Sequence, residues 1–438
     1  MKEPTGFQSP KPEISVTHIS TSDIKGGAAS AAYRQHVGLL NAGVDSKILA
    51  LIKNADDDSV LPFDYGASLL KRLLRRLQKI RINHDFNSYR STRPDGLELF
   101  SDDRVHLGRQ VMDQIPHTDI VNLHWYMGFL DFSLLPVLTM IYPVVVSMHD
   151  EWAFTGGCHY DLGCDAFLTK CGHCPQLGSS QQRDLSTSIF ARKAAVLSKC
   201  DHTKLIFISP SRWLQQKAQK SALLKNFAVE FIPYGIDTKQ FKPIVSTKSF
   251  RFGLGCSDTD FLVLFVASGL GLPRKGYAFL KQALEMLPPS CRVKLITVGG
   301  GQPESPANAF HLHMGSIGDQ QALSTIYTAA NVFIMPSTDE AFGLTALEAM
   351  ACGTAVIGFR SGICADAITN GVNGYVLDVG DVEGLAKAIC GMANHPNQVT
   401  SMGHAARNYA ERELSNEINA ARYVKIYKLM IQRYTNSV

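Results

Sequence analysis

Short runs of β-branched and aliphatic residues recur along the chain at 14–19, 120–123, 144–148, 205–208, 261–267, 293–298, 332–335 and 355–358. Helical patterns and glycine-rich turns separate them, the alternation expected when crossover helices wrap parallel sheets. The runs fall into two sets. The break lies at Ile232-Pro233-Tyr234-Gly235-Ile236-Asp237, where a strand meets a Pro/Gly turn before residue 261 restarts the pattern. The reading is an α/β chain of two Rossmann-like parallel-sheet domains, residues 1–236 and 237–414. Within 415–438, a last helix at about 415–433 is expected to cross back to the first domain. Neither an internal repeat nor a low-complexity segment is evident.

Composition agrees with two domains, since 438 residues at 45% hydrophobic content exceed what one core holds, and two domains imply a cleft. A formal net charge of +4 is too small to argue for nucleic acid as a bulk partner. No apolar run reaches the roughly 18 residues of a membrane span, and residues 1–11 lack the apolar core of a signal peptide, so a cytoplasmic location is expected. Of ten cysteines, six are scattered and read as buried small hydrophobes.

The most informative stretch follows the run at 332–335. Pro336-Ser337 closes that strand, Glu340 lies in a loop, Phe342-Gly343 opens a helix, and Glu348 falls in its second turn. A helix N-terminus entered through glycine offers N–H groups and a positive dipole end to phosphate, while carboxylates accept pairs of sugar hydroxyls. Taken alone, the same residues also read as a plain helix with an acid at its start. Arg274-Lys275 precedes another helical pattern, where the dipole disfavours cations, so a phosphate-binding role explains the pair better than a solvated surface does.

The seven residues between Glu340 and Glu348 resemble the paired-glutamate signature of retaining glycosyltransferases of GT-B fold, the large family numbered four (glycosyl transferases group 1). Gly26-Gly27-Ala28, Ser209-Pro210-Ser211, Trp213, the 232–237 segment with Phe241 and Pro243, Arg274-Lys275-Gly276, Val298-Gly299-Gly300, Tyr327 and Met335-Pro336-Ser337 stand in the family's order. The resemblance implies two domains facing a central cleft, with a hexose moved from a UDP- or GDP-sugar to a glycan or lipid-linked acceptor. Under it Glu348 binds the ribose, Glu340 the donor sugar beside the backbone of Phe342, Gly343 and Leu344, and Lys275 with Arg274 the diphosphate. Fixed cations in a dry cleft would stabilise the leaving nucleotide as its charge grows. In such retaining enzymes the leaving phosphate is thought to take the acceptor proton, so neither a protein base nor a catalytic metal is expected. Two departures stand out: residues 267–271 lack an arginine common in relatives, and Asp366 replaces a usual glutamate.

In the first domain, Gly26-Gly27 offers bare backbone to a ligand, although a tight turn explains it almost as well. The resemblance places His149 against the donor sugar, with His124 a weaker candidate on the acceptor side. The loop 156–175 carries Cys158, Cys164, Cys171 and Cys174, a spacing open to a structural zinc ion, a disulfide pair or free thiols. The surrounding residues His149-Asp150-Glu151-Trp152, Thr155-Gly156-Gly157-Cys158 and Cys174-Pro175 are similar to a run in bacterial exopolysaccharide (colanic-acid-type) transferases. At 69–82, Leu69, Leu70, Leu73, Leu74, Leu77 and Ile80 make one stripe beside the cations Lys71, Arg72, Arg75, Arg76, Lys79 and Arg81. Such a helix suits either an anionic membrane or packing on the first domain. Two other functions stay in view: a sugar-nucleotide epimerase, which would need no acceptor, and a non-catalytic carbohydrate-binding relative.

Overall fold

The computed structural model describes residues 13–436 except Ala67 and Asp95; residues 1–11, read above as polar, lie outside the described residues. The first sheet contains β1 (Ser15–Ser22), β2 (Asp45–Ile52), β3 (Val60–Pro62), β4 (Ile120–His124), β5 (Val144–Ser147), β6 (Leu205–Ser209) and β7 (Ala228–Phe231), in the order β3-β2-β1-β4-β5-β6-β7. The second contains β8 (Phe261–Gly269), β9 (Val293–Gly300), β10 (Phe310–His313), β11 (Val332–Met335), β12 (Ala355–Phe359) and β13 (Gly374–Leu377), in the order β10-β9-β8-β11-β12-β13. Both sheets are parallel throughout. Their central strands are buried on both faces, as helices on both sides demand. Val144 and Val146 point into one core and Val145 into the other.

That second core is closed by the C-terminal helix Asn416–Thr435, capped by Ser415 accepting from the Ile418 amide. Ala420, Tyr423, Tyr427 and Met430, spaced along one stripe, pack on Ile14, Val16, Ile120 and Val145 of the first sheet. The Tyr427 hydroxyl is held by Gln35 at 3.0 Å and Asn122 at 2.8 Å. Each buried ring contributes roughly 1.5–3 kcal/mol. Tyr427→Ala would remove that and leave two buried amides short of a partner. The chain leaves and re-enters the first domain side by side, because Ile236 and Asn416 bond across at 2.9 and 3.0 Å to Leu414 and Ile236.

The helix Leu69–Asn87 forms, but five residues of the stripe do not pack on the domain: Leu69, Leu70, Leu73, Leu77 and Ile80 are all exposed. The side chains of Lys71 and Leu74 lie outside the described residues. A cation turns inward instead. Arg75 is buried, donating to the Tyr65 carbonyl at 2.8 Å and lying over the Tyr65 ring. Among the described residues no helix is long and apolar enough to cross a membrane.

Candidate functional site

The carboxyl ends of both sheets open on one cleft, where parallel α/β sheets place their ligands. Its cavity of about 590 Å3 is lined by Gly26 and Gly27, His149, Arg274 and Lys275, Glu340, Phe342, Gly343 and Leu344, and Glu348. Two helix N-termini face this space from opposite sides. Helix Gly27–Asn41 starts after Gly26, at φ 100°, and helix Leu344–Ala351 after Gly343, at φ 98°; neither has a side-chain cap, so first-turn N–H groups and positive dipole ends are turned to the cleft. At Gly343 a side chain is excluded twice, by the left-handed backbone and by the Met335 sulfur, which would stand 2.6 Å from an added Cβ.

On the second-domain wall, the turn Pro273–Lys275 ends at Gly276, whose φ of 75° and contact with the Pro336 carbonyl leave no room for a Cβ. Lys275 Nζ stands 2.5 Å from Glu340 Oε2, and Arg274 reaches the same oxygen at 3.4 Å. Burial alone would raise the Glu340 carboxyl, but these two charges hold it below its ordinary range, so it is an acceptor and not an acid. Arg274 is also tied to the other domain, bonding Glu98 at 2.5 Å and lying 3.8 Å from the centre of the Tyr160 ring. Lys275 is therefore the freer of the two cations. Glu348 has both oxygens engaged, one by Arg34 at 2.7 Å and one by the Tyr327 hydroxyl at 3.0 Å. The Nη1 of Arg34 is buried at the cleft without a hydrogen-bond partner among the described residues.

The first-domain wall is built of neutral imidazoles. His149 Nε2 meets His124 Nδ1 at 3.0 Å, and its Nδ1 meets the Tyr234 hydroxyl at 2.5 Å. The contacts continue inward from His124 to His18 at 2.9 Å, from His18 to Ser46 at 3.1 Å, from Ser46 to His36 at 2.7 Å and from His36 to Ser59 at 2.8 Å. Burial pushes His36 and His149 down to about 4, and His18 and His124 well below their usual value, even though an edge of His149 lines the cleft. All four are uncharged at neutral pH. Asp150 accepts from Trp125 Nε1 at 3.0 Å, the Trp152 amide at 2.8 Å and His159 Nδ1 at 2.6 Å, which anchors the loop entering the cysteine segment.

Around the cleft the domains are fastened together. Lys217 binds Glu151, Asp161 at 2.7 Å and Asp339 at 3.8 Å, and burial pushes the Asp339 carboxyl up to about 6 against the pull of that lysine. These three acids are the one close three-ligand group of carboxylates, histidines or cysteines among the described residues, and an ammonium group already occupies it. Ser211 donates to the Ala341 carbonyl at 2.7 Å. Asp366, the departure noted above, accepts from the Arg212 amide at 2.8 Å and is not part of the cleft lining, so it caps a helix across the interface. The four loop cysteines form no disulfide among the described residues and line a second, small cavity.

Sequence reasoning missed Arg34, Glu98, His159 and Tyr160 as cleft residues. Arg34 meets Glu348 across 314 residues and Glu98 meets Arg274 across 176, separations that carry no local signal. At the 267–271 departure Ala267 and Ser268 line the cleft without a charge, and Arg34 is part of the same lining.

Comparison with known proteins agrees with this geometry. Residues 246–409 match the family model described as glycosyl transferases group 1. The D-inositol 3-phosphate glycosyltransferase 2 of Catenulispora acidiphila is 32% identical over 196 residues, 41% of this chain and 45% of its own length. The chain thus spans about half the length of that curated relative. Two solved structures align end to end: sucrose-phosphate synthase from Thermosynechococcus elongatus (TM-score 0.62, 19% identity, 96% of this chain and 100% of that one) and HepE of Anabaena in complex with UDP and glucose (TM-score 0.61, 15% identity, 95% and 100%).

Proposed function

We propose that this chain of GT-B fold, whose second domain belongs to the glycosyl transferases group 1, is a retaining, metal-independent hexosyltransferase using a nucleotide diphosphate sugar. The observation that carries the reading is the convergence of Lys275, Glu340 and Glu348 on one cavity between two facing helix N-termini. Glu348, with Arg34 and Tyr327 fixing its carboxylate, takes the ribose hydroxyls. Glu340 accepts from hydroxyls of the donor sugar. Lys275 exchanges part of its hold on Glu340 for the diphosphate, whose charge the two helix ends share as the glycosidic bond breaks. His149, uncharged and pinned on both nitrogens, orients the sugar without competing for the phosphate. The solved neighbour that holds UDP and glucose makes UDP-sugars the first donors to try, with GDP-sugars next.

The acceptor we assign is a glycan or lipid-linked glycan of polysaccharide assembly, met at the inner face of a membrane. Support comes from the exposed row Leu69, Leu70, Leu73, Leu77 and Ile80 with exposed Arg72, Arg76, Lys79 and Arg81 beside it, a surface that suits anionic lipid. Liposome co-sedimentation of the chain, and its loss on reversing Arg72, Arg76 and Lys79 to Glu, measures this part.

The donor site is tested by a thermal-shift panel of UDP-, GDP- and ADP-sugars with Lys275→Ala and Glu348→Ala in parallel. A saturating donor at a hundred times its Kd stabilises by about 2.7 kcal/mol. One base class should raise Tm, and both variants should lose the shift. Absence of any shift in the unsubstituted protein would refute the assignment, and release of an altered free sugar without acceptor would move it to the epimerases.

A further inference from the structure

We propose that Cys158, Cys164, Cys171 and Cys174 hold one tetrahedral zinc ion that braces the loop pressing Tyr160 and Leu162 onto the second domain. It stands independently of the reaction assigned above. The four thiols come from separate points of the loop yet line a single cavity of about 20 Å3. A space of roughly 10–15 Å3 holds one water-sized sphere, so this one has room for a single atom and not for a cluster or a side chain.

Backbone donors stand close to these sulfurs. Backbone N–H groups are directed at three of them: Ala166 at Cys164, Gly156 at Cys171, and Gln176 and Leu177 at Cys174. The Thr155 hydroxyl, next to Cys158, donates to the Cys158 carbonyl at 2.6 Å. Those backbone N–H groups stabilise a charged sulfur, the form that binds metal. Gly156 permits the approach, since a Cβ there would stand 2.9 Å from Cys171 Cβ and 3.0 Å from its sulfur. The four sulfurs do not yet form a three-ligand group within 4.8 Å, so binding must draw them together.

Charge balance points the same way. Zinc with four thiolates carries a net charge of −2, which a buried site must offset. Lys193 is fully buried beside Cys158 and Cys171, donates to the Trp152 and Thr155 carbonyls, stands 3.5 Å from the centre of the Trp152 ring, and forms no ion pair with a carboxylate among the described residues. A tetrathiolate would set a counter-charge directly beside this buried ammonium.

The residues between the first two ligands are the ones that reach the cleft. His159 bonds Asp150, Tyr160 lies under Arg274, Asp161 pairs with Lys217, and the Leu162 amide meets Asp339 at 3.3 Å. The ion would fix this clamp from behind.

The test is metal and thiol analysis of the full chain purified without chelator. One zinc per chain is expected, all ten cysteines titrating after unfolding in EDTA without reductant. Cobalt substitution should give the intense visible bands of tetrahedral thiolate ligation. Cys171→Ser/Cys174→Ser should lose the metal, whereas Cys291→Ser, outside the loop, should keep it. Should the double variant fail to fold, the metal content and cobalt spectrum of the unsubstituted chain decide. Absence of stoichiometric metal, iron in its place, fewer than ten titratable thiols, or full zinc in the double variant would each overturn the proposal.

Discussion

The wall contributed by the second domain meets a ligand with charge, Lys275 and Arg274 balanced on Glu340, whereas the wall from the first domain meets it with imidazoles that burial keeps neutral. The first arrangement comes from short contiguous segments, a Lys-containing turn and a glutamate loop leading into a helix. The second is assembled from residues between positions 18 and 234. A transferring sugar diphosphate needs both, charge where negative charge grows and neutral polar contacts where hydroxyls must be held in place.

Removing the charged wall should have the largest effect. Lys275→Ala is expected to lower kcat by roughly 10²–10³-fold, the usual cost of deleting one fixed electrostatic partner of a transition state. A rate within threefold of the unsubstituted chain would place the charged centre elsewhere. The neutral wall should break with acid instead. Because the folded pKa of His36, about 4, lies below its unfolded value near 6.5, the unfolded chain binds the extra proton first. Stability is complete above 6.5, falls as pH drops, and levels off near 4. The slope is at most about 1.4 kcal/mol per pH unit for each such histidine. Thermal melts between pH 7.5 and 4 should show it, and a flat Tm would mean that the chain carries charge.

Finer substitutions sharpen the contrast. Glu348→Gln keeps the shape but removes the charge facing Arg34, and donor Kd should rise roughly tenfold, as expected for a hydrogen bond to a charged group. Titration calorimetry with the nucleotide diphosphate reads it, and an unchanged Kd would remove Glu348 from the ribose site. Tyr327→Phe deletes one bond to the same carboxylate, about 1 kcal/mol or fivefold in Kd, with kcat unaltered.

Eight strands were legible because each is rich in β-branched and aliphatic residues and lies in the middle of a sheet, although β1 and β4 also bury His18, Asn122 and His124. The short edges β3, β10 and β13 were not, and of β7 only its end at the Pro/Gly turn was placed: Ala228–Phe231 alternates exposed and covered residues, and Phe310–His313 is fully buried at no position. Strand β2 hides differently, since Ile48-Leu49-Ala50-Leu51 has the composition of a buried helix as much as of a strand. The helix Leu69–Asn87 was legible as a helix, yet which side faces water was not, because Arg75 turns inward through a carbonyl contact that no periodicity encodes. At the site, contiguous motifs brought out Glu340, Glu348 and Lys275 as candidates. Arg34, Glu98 and Tyr160 depend on how two domains meet, information spread over hundreds of residues.

The row of rings and hydroxyls behind His149 has a direction. Ser59 spends its single hydroxyl proton on Asp57 at 2.5 Å, so it can only receive from His36 Nε2. That leaves His36 Nδ1 bare to receive from Ser46, Ser46 to receive from His18, His18 from His124, and His124 from His149. His149 then offers a lone pair to the Tyr234 hydroxyl, whose oxygen lone pairs remain for the cleft. A carboxylate at the far rim of the first sheet thus chooses the tautomer of a ring that faces the sugar. Reversing any one member requires reversing them all.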